Sequence, residues 1–488
     1  MRILFAAAEA VPFAKTGGLA DVSNALPRAL HALGHEVVLA LPCYRGVPDK
    51  ASAPVEDTGA ELAIPIGDDT VAGRVLRTTL PGADVPVWLI DQPGYYDREM
   101  LYGKPEGEYP DNAARFIFFS RAVLAAAKAL GWAPDIYHCN DWQTALIPVY
   151  LRCALDGDPF YRGARSVLTV HNLAYQGKFP AEAFPLTGLP SKHFSWQELE
   201  FHGELNLLKG GLVHGDILSA VSPRYAKEIQ TEEFGCGLEG VLAGRSGDLV
   251  GIVNGIDYGV WDPRTDALIP ATYSADDLSG KAACKRALQR ESGLPESDAP
   301  LVGMVSRLDK QKGLDIVVEG FEALLALGIQ FVLLGTGSEE YHTKLAALAK
   351  RHPDQFCAHI TFDNALAHRI EAGSDLYLMP SRYEPCGLNQ LYSLRYGAVP
   401  IVRKTGGLAD TITNCTPTAL AKGTANGFSF ESYNARALVA ATRRATKLYA
   451  NVPLWQRLMR IGMGQDWSWD RSARRYVEVY GLARQGAR

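Results

Sequence analysis

The heptapeptide Lys-Thr-Gly-Gly-Leu-Ala-Asp occurs twice in the chain, at residues 15–21 and again at residues 404–410. Each copy follows an apolar run typical of a buried strand and stands at the start of a helical pattern. Two similar α/β domains would each place such a glycine-rich turn outside the carboxyl ends of parallel strands, where ligands bind. The alternative is coincidental turn chemistry at two separate strand-to-helix junctions, which explains an identical heptapeptide less well.

Apolar runs alternate with helix-like segments in both halves of the chain, and this alternation predicts parallel sheets covered by helices. The expected strands are 2–8, 37–41, 134–138, 165–170, 301–306, 331–334, 376–380 and 399–402. A segment rich in turn residues, 254–263, separates the two halves. We therefore predict an N-terminal domain of residues 1–253 and a C-terminal domain of residues 254–466, both Rossmann-like, doubly wound and facing a central cleft.

Composition also indicates two domains. A chain of 488 residues is too long to form one compact core, and with 47% apolar and 21% charged residues it is too hydrophobic to be disordered. The net charge of −5 removes the attraction that a basic chain has for phosphate backbones or anionic lipid. We expect neither nucleic-acid nor membrane partners.

The eight cysteines lack paired Cys-x-x-Cys spacing, which indicates reduced thiols in the cytoplasm. His31 and His35 are four residues apart, but Gly34 ends the helix between them, so they do not share a helical face. We therefore expect no metal site.

The first heptapeptide is a candidate anion site. Gly17 and Gly18 let backbone amides approach a phosphate, the following helix adds a partial positive charge, and Lys15 adds a full one. Asp21 could bond to a sugar. The structural alternatives are a tight turn with a solvated lysine and an N-cap at Asp21.

The loop after the expected strand 301–306 is the best candidate for a diphosphate clamp. Arg307 offers a planar fork of donors and Lys312 a compact charge, so together they could neutralise a leaving diphosphate without a metal. Such charged loops are often merely solvated. The position at the carboxyl end of a strand favours function here.

A second loop of that domain, 380–390, introduces another helix and should present the backbone amides of Cys386, Gly387 and Leu388 to the cleft. A carboxylate beside an anion site is costly unless it bonds to something else. We therefore expect Glu384 to contact sugar or ribose hydroxyls. The Gly-Thr-Gly at 335–337 lacks the third glycine of a dinucleotide fingerprint and predicts little.

Two polar residues of the first domain, Asp141 and His171, end expected strands and could reach a substrate. His171 could donate a hydrogen bond to a sugar hydroxyl. A structural histidine and an Asp141 that only caps the helix from Gln143 remain equally good interpretations of each residue alone.

Taken in order, these motifs resemble those of the glycogen and starch synthases, glycosyltransferase family 5, over nearly the whole chain. The matching segments are 15–22, 171–177, 220–223, 254–257, 307–313, 381–387 and 405–410. The resemblance implies a GT-B fold in which a last helix, about 467–488, returns to the first domain. It also implies retaining transfer of glucose from ADP-glucose to the non-reducing end of an α-1,4-glucan, with glycogen or a malto-oligosaccharide as acceptor and no cofactor.

Carried over by motif, the resemblance implies a role for each candidate residue. Catalysis would involve His171, Glu384, Arg307, Lys312 and Asp141, with His171 and Glu384 contacting glucose. The donor would be bound by Lys15, Gly17, Gly18, Asp21, Arg307, Lys312, Cys386, Gly387, Leu388, Asn254 and Phe362.

Several positions depart from the family pattern. Asn389 stands where a threonine is usual near the phosphates, Asn140 replaces a histidine, and Phe362 stands where a tyrosine often packs near adenine. Tyr392 occupies the place of a second glutamate found in the wider retaining superfamily. Of these, the substitution at Asn389 bears on the local contacts with the donor, whereas phenylalanine can still stack and members of the family commonly lack the second glutamate too.

The chain offers no obvious covalent nucleophile, so we favour attack from the face that the leaving group departs from. Two other functions remain open. A nicotinamide-dependent dehydrogenase suits two α/β domains, and a non-catalytic glucan-binding protein would tolerate the departures at Asn140 and Asn389. UDP-glucose remains an alternative donor, and the sequence leaves the oligomeric state open.

Overall fold

The computed structural model describes residues 1–104 and 107–486. The chain divides into two compact units: unit 1 comprises Met1–Asn254 and Trp469–Arg488, and unit 2 comprises Gly255–Ser468. The predicted domain limits, 253/254 and about 467, differ from these bounds by one or two residues.

Unit 1 is built on a large sheet and two small ones. Its strands are β1 (Arg2–Ala6), β2 (Glu36–Pro42), β3 (Glu56–Ile66), β4 (Asp69–Thr79), β5 (Pro86–Asp91), β6 (Gly103–Lys104), β7 (Gly107–Glu108), β8 (Ile136–Asn140), β9 (Arg165–Val170), β10 (Lys178–Pro180), β11 (Glu200–Phe201), β12 (Glu204–Asn206), β13 (Ile217–Ala220) and β14 (Leu249–Gly251). Its helices before residue 255 are α1 (Gly18–Ala32), α2 (Pro93–Tyr96), α3 (Asn112–Ala129), α4 (Leu146–Cys153), α5 (Leu207–His214), α6 (Pro223–Glu228) and α7 (Glu239–Gly244). Short 3-10 helices occupy Pro48–Lys50, Trp142–Thr144, Ala181–Thr187, Ser191–His193 and Ser246–Asp248.

The large sheet has the order β14-β13-β9-β8-β1-β2-β5-β4-β3 and is parallel from β14 to β5. The last two strands are antiparallel and form a hairpin that turns at Gly67, where φ is +61°. The sequence analysis placed no strand between residues 41 and 134 and so did not predict this hairpin. Both hairpin strands alternate exposed and buried side chains, as expected for a sheet with one solvated face.

Unit 2 contains a wholly parallel sheet of order β17-β16-β15-β18-β19-β20. Its strands are β15 (Leu301–Val305), β16 (Gln330–Leu334), β17 (Phe356–His359), β18 (Leu376–Met379), β19 (Val399–Arg403) and β20 (Phe428–Phe430). Its helices are α8 (Ser279–Glu291), α9 (Leu314–Glu319), α10 (Phe321–Leu325), α11 (Glu339–Arg351), α12 (Asn364–Gly373), α13 (Asn389–Arg395), α14 (Gly406–Thr411), α15 (Pro417–Ala421), α16 (Ala435–Tyr449) and α17 (Val452–Met463). The order in which the strands are added reverses between β15 and β18, and an open α/β sheet binds its ligand at such a point.

The last helix, α18 (Trp469–Gln485), belongs to unit 1. The Tyr480 hydroxyl lies 2.7 Å from His138 Nδ1 on β8, and Ser472 Oγ donates to the Val253 carbonyl over 2.7 Å. These contacts fasten the helix to the first sheet. Both sheets are covered by helices, which confirms the predicted fold class of two Rossmann-like α/β domains. Within residues 1–104 and 107–486, no helix has the length and hydrophobicity of a transmembrane span.

The two copies of the heptapeptide have different surroundings. In unit 1, Gly17 is extended with φ −151°, and a Cβ added there would meet nothing within 4 Å. In unit 2, a Cβ on Gly406 would lie 1.9 Å from the Glu384 carbonyl oxygen, and one on Gly407 would lie 2.0 Å from that of Cys386. The second copy is glycine-rich because two backbones press together, whereas the first is open to the surface.

This difference predicts opposite effects of the same substitution. Gly407→Ala forces the backbone of the 384–386 loop to move, and we expect it to lower the free energy of unfolding by about 2 kcal/mol or more. Gly17→Ala should change it by less than about 0.5 kcal/mol, because the added methyl meets no atom. Urea unfolding followed by circular dichroism measures both. Equal losses in the two variants would contradict the interpretation.

Candidate active site

In unit 2, a buried ion pair joins the loops that follow β15 and β18. Lys312 Nζ lies 3.0 Å from Glu384 Oε1 and 2.7 Å from Glu384 Oε2, and the Glu384 side chain is only 6% exposed. Ser381 Oγ donates to the same carboxylate over 2.9 Å. The sequence analysis expected Glu384 to need sugar or ribose hydroxyls as partners. The protein itself supplies partners, and one of them is the predicted phosphate-binding lysine.

Gly313 allows the two loops to come this close. Its φ is +79°, and a Cβ at this position would lie 2.2 Å from the Pro380 carbonyl oxygen. Only glycine combines that backbone conformation with so short an approach. Gly313, which directly follows Lys312, therefore lets the lysine ammonium reach Glu384.

Arg307, the other predicted cation, lies nearer the surface with half of its side chain exposed. Its Nη1 is 3.1 Å from Asp309 Oδ2, and its Nη2 donates to Gln311 Oε1 over 3.0 Å. An exposed pair of this kind contributes little to stability, so the guanidinium can exchange its carboxylate partner for a phosphate at small cost.

The segment after Glu384 is fixed by side-chain amides. Gln390 Nε2 donates to the carbonyls of Cys386 and Gly387 over 3.0 and 3.1 Å, and Gly387 has φ +72°. Asn389 Nδ2 donates to the Val305 carbonyl over 2.7 Å. Asn389, which departs from the family pattern, thus ties the start of α13 to the end of β15.

Two further features noted in the sequence, the Gly-Thr-Gly segment and Phe362, follow the neighbouring strands β16 and β17. A Cβ on Gly335 would lie 1.9 Å from the Ser306 carbonyl oxygen, and Leu308 N donates to the Thr336 carbonyl over 2.9 Å. Loop packing therefore accounts for the Gly-Thr-Gly sequence. Phe362 follows β17 and is 79% exposed, which leaves a large aromatic face open at this edge of the unit.

In unit 1, the first heptapeptide is held by a carboxylate that the sequence analysis missed. Glu9, which is buried, accepts hydrogen bonds from Thr16 N, Thr16 Oγ1, Gly17 N and the Tyr102 hydroxyl over 2.5 to 3.2 Å. A lone glutamate after a strand carries no motif, so no sequence signal marked it. Lys15 Nζ lies 2.7 Å from Asp21 Oδ1.

Asp21 is not the N-cap of α1. The helix is capped at Gly17 without a side-chain hydrogen bond, and Asp21 lies in the first turn. Burial raises the pKa of Asp21, and the Lys15 ammonium opposes that rise. The capping interpretation of Asp21 is therefore wrong.

Asp141 and His171 meet where β8 and β9 end. Asp141 Oδ1 accepts the His171 backbone N–H over 2.7 Å and makes no helix-capping hydrogen bond, so the capping interpretation is wrong here too. The Asp141 backbone has φ +55° and ψ −172°, a conformation that costs a non-glycine residue about 1–3 kcal/mol. Such strain, held beside a buried carboxylate, is common at functional sites.

The ring of His171 is oriented by Asn140. Asn140 Nδ2 donates to the Ala6 carbonyl over 3.0 Å, which turns its Oδ1 toward His171 Nε2 at 2.9 Å. An amide oxygen only accepts, so Nε2 carries the proton. Burial lowers the pKa of His171 to about 3, and the neutral ring therefore keeps a lone pair on Nδ1. The sequence analysis expected His171 to donate to a sugar hydroxyl; this tautomer instead offers Nδ1 as an acceptor.

The remaining candidate, Asn254, is buried at the last residue of the first segment of unit 1. Unit 1 thus brings together Asp141 and His171, and separately Lys15, Gly17, Gly18 and Asp21. Unit 2 brings together Arg307, Lys312, Glu384 and the 386–388 backbone, with Phe362 after a neighbouring strand.

The buried carboxyl of Asp141 predicts a pH-dependent stability. Burial raises its pKa to about 7, while the amides of His171 and Asn172 lower it. The native state then holds this proton between about pH 4 and 7 where the unfolded chain does not, so its stability falls as pH rises through that window. Asp141→Asn should be more stable than the parent by about 2 kcal/mol at pH 8, and by less at pH 5.5.

Thermal and urea unfolding at both pH values measure this effect. Asp156→Asn, at an exposed aspartate of the same unit, is the matched control and should shift neither curve. A gain for Asp141→Asn that is equal at the two pH values, or absent at pH 8, would count against a protonated native carboxyl.

Both units of the chain are similar to known proteins. Residues 2–244 match the family model described as the starch synthase catalytic domain, and residues 285–454 match the model of glycosyl transferases group 1. The chain is 50% identical over 485 residues to a glycogen synthase of Koribacter versatilis, with 99% of each chain covered. It is 48% identical over 481 residues to a glycogen synthase of Syntrophotalea carbinolica, with 98% of each covered.

Solved structures agree with the sequence comparisons. The catalytic domain of starch synthase IV from Arabidopsis thaliana, bound to ADP and acarbose, has a TM-score of 0.90 at 34% identity, with 99% of both chains covered. Sucrose-phosphate synthase from Thermosynechococcus elongatus, at 16% identity and a TM-score of 0.60, shares the fold. The chain therefore belongs to the glycogen and starch synthase family and is a glycosyltransferase with the GT-B fold.

Proposed function

We propose that this glycosyltransferase transfers glucose from ADP-glucose to the non-reducing end of an α-1,4-glucan, glycogen or a malto-oligosaccharide, in the cytoplasm. The observation that carries the proposal is the pairing of Lys312 with Glu384 beside Arg307, where two strands of unit 2 end. The related starch synthase IV was solved with ADP, which supports a nucleoside diphosphate donor. In the described residues no disulfide joins any of the eight cysteines, which suits a reducing compartment.

Arg307 and Lys312 bind the diphosphate in this proposal. The guanidinium provides a flat fork of donors for two phosphate oxygens, and the ammonium provides a point charge. Each has a carboxylate partner, Asp309 at 3.1 Å for Arg307 and Glu384 at 2.7 Å for Lys312. Phosphate oxygens replace or share those partners, so the cations are already positioned before the donor arrives.

Glu384 has two tasks. It holds Lys312 in place, and it accepts hydrogen bonds from glucose hydroxyls once phosphate has taken part of the lysine's charge. The reaction breaks the bond between glucose C1 and the diphosphate oxygen, and the acceptor hydroxyl attacks from the same face. The departing oxygen takes the acceptor proton, and the cations stabilise the negative charge that develops on the diphosphate. This route needs neither a covalent enzyme intermediate nor a cofactor.

Unit 1 contributes groups suited to sugar hydroxyls. Neutral His171 accepts a hydrogen bond from a hydroxyl at Nδ1, and Asp141, largely protonated below pH 7, offers a donor without a full buried charge. The assignments of Lys15, Gly17 and Gly18 to phosphate, and of Asp21 and Asn254 to the donor, remain proposals. The Lys15–Asp21 ion pair at 2.7 Å supports the assignment of Lys15 to phosphate. The pair is partly exposed, so Lys15 can exchange its carboxylate partner for a phosphate at small cost.

Competition between radiolabelled ADP-glucose and UDP-glucose, with glycogen as primer, tests the function. We expect incorporation of label into glycogen from ADP-glucose in preference to UDP-glucose. Well-folded protein that binds glycogen but incorporates no label would favour the glucan-binding alternative. A change in reduced-nicotinamide absorbance with candidate substrates would favour the dehydrogenase.

The ion pair requires a two-step mutational test. Lys312→Met should lower turnover by about 100-fold or more and also destabilise unit 2, because Glu384 is left buried without its cation. The double variant Lys312→Met with Glu384→Gln removes both charges and should recover much of the unfolding temperature but none of the turnover. Near-normal turnover in either well-folded variant would contradict the proposed role of Lys312.

The exposed ring of Phe362 predicts a donor-binding effect. Stacking of a base on an aromatic side chain contributes about 1–3 kcal/mol, so Phe362→Ala should raise KM for ADP-glucose about 5-fold or more and leave kcat near its parent value. Phe362→Tyr keeps the aromatic face and should restore KM. The same rise in both variants, or no rise in Phe362→Ala, would remove Phe362 from the donor site.

A further inference from the structure

Four potential metal ligands converge in unit 1, away from the candidate active site. They are Cys153, His193, Glu198 and His214, and one ligand atom from each lies within 4.8 Å of the other three. The residues come from three segments: the last residue of α4, the connection that includes Ser191–His193, and the last residue of α5. Because they come from three separate segments, no spacing motif marked them, and the sequence analysis predicted no metal site.

The distances within this cluster are close to those of a tetrahedral site. Glu198 Oε2 lies 2.6 Å from His193 Nδ1 and 3.0 Å from His214 Nε2, while Cys153 Sγ lies 4.0 Å from His214 Nε2. Zinc bonds of about 2.0–2.3 Å to nitrogen, oxygen and sulfur place neighbouring ligand atoms about 3.3–3.7 Å apart. Each observed distance differs from this range by less than about 1 Å, which small side-chain rotations can supply.

The chemistry of the cluster also suits zinc. Two imidazoles, one carboxylate and one thiol form the mixed nitrogen, oxygen and sulfur set that this borderline-soft cation accepts. The side chains are enclosed but reachable, with exposed fractions of 9% for His193, 14% for His214 and 25% for Glu198. The neighbouring Arg152 is paired with Asp216 at 2.5 Å, so its charge is compensated by another carboxylate.

The position of the cluster indicates a structural role. Helix α4 follows β8, so its last residue lies away from the carboxyl ends of the strands, and α5 ends just before β13 begins. Asp216, two residues after His214, accepts Ser166 N at the start of β9 over 2.8 Å. The cluster therefore lies at the amino-terminal edge of the sheet, opposite to Asp141 and His171.

We infer that Cys153, His193, Glu198 and His214 form a closed four-ligand zinc site that fastens the 191–198 connection to the ends of α4 and α5. Binding replaces the proton of the Cys153 thiol and the histidine protons that now bond to Glu198, and these protons pass to solvent. The inference stands independently of the glucosyltransferase proposal, since it concerns other residues and another edge of the sheet.

The test uses the full chain, stripped with a chelator and then titrated with Zn²⁺ or Co²⁺. We expect one Zn²⁺ per chain with a Kd below about 1 μM, and a rise in unfolding temperature of about 5 °C. Co²⁺ should show the thiolate-to-metal charge-transfer absorption that reports a cysteine ligand. A Kd for Zn²⁺ above about 1 μM, or a cobalt complex without this absorption, would overturn the inference.

Variants assign the ligands. Cys153→Ser should abolish the charge-transfer absorption, and Glu198→Gln, which can still accept from a histidine, should weaken Zn²⁺ binding at least 10-fold. Cys357→Ser is the matched control and should change neither quantity. Cys357 Sγ lies 3.4 Å from His359 Nε2, but among the described residues this pair belongs to no cluster of three or more potential ligands. Circular dichroism of the metal-free variants checks folding. An unchanged spectrum and affinity in folded Cys153→Ser would refute the assignment.

Discussion

The ion pair between Lys312 and Glu384 is the interaction on which the candidate donor site depends. It crosses between two loops that parallel strand pairing has already placed side by side. Gly313 closes the distance between these loops, and the Gly406-Gly407 backbone packs against 384–386 from the other side. The cation that would meet phosphate is thus held by a carboxylate that would meet sugar, so donor binding acts on both groups together.

Holding these charges costs stability that the surrounding packing has to supply. A buried pair gains little net free energy, because desolvation offsets most of the attraction between its members. Ser381 adds a hydrogen bond to the carboxylate, and the Asn389 amide ties α13 to the end of β15. Unit 2 therefore surrounds its charged groups with fixed backbone, which is the condition for electrostatic stabilisation of a leaving group.

In unit 1, the buried polar groups at the ends of the strands are held mainly in their neutral forms. Burial favours the protonated form of Asp141 and the neutral ring of His171, and Asn140 selects the tautomer of that ring. The strained backbone at Asp141 and the buried Glu9 beneath the first heptapeptide are further local costs. Strain and burial of this kind at the ends of β1, β8 and β9 mark the edge where the unit would act on its substrate, whereas the four-ligand cluster lies at the opposite edge.

The sequence by itself determined the parallel α/β architecture, because apolar runs of strand length alternate with helices, and it located the strand-end loops that carry Arg307, Lys312, Glu384, Asp141 and His171. It did not reveal the β3–β4 hairpin, the Glu9 hydrogen bonds or the cluster of Cys153, His193, Glu198 and His214. Only the tertiary structure decided these features, along with the different surroundings of two identical heptapeptides. The physical reason is that hydrophobic periodicity is local, whereas hydrogen-bond partners, ligand distances and burial arise between segments that are remote in the chain.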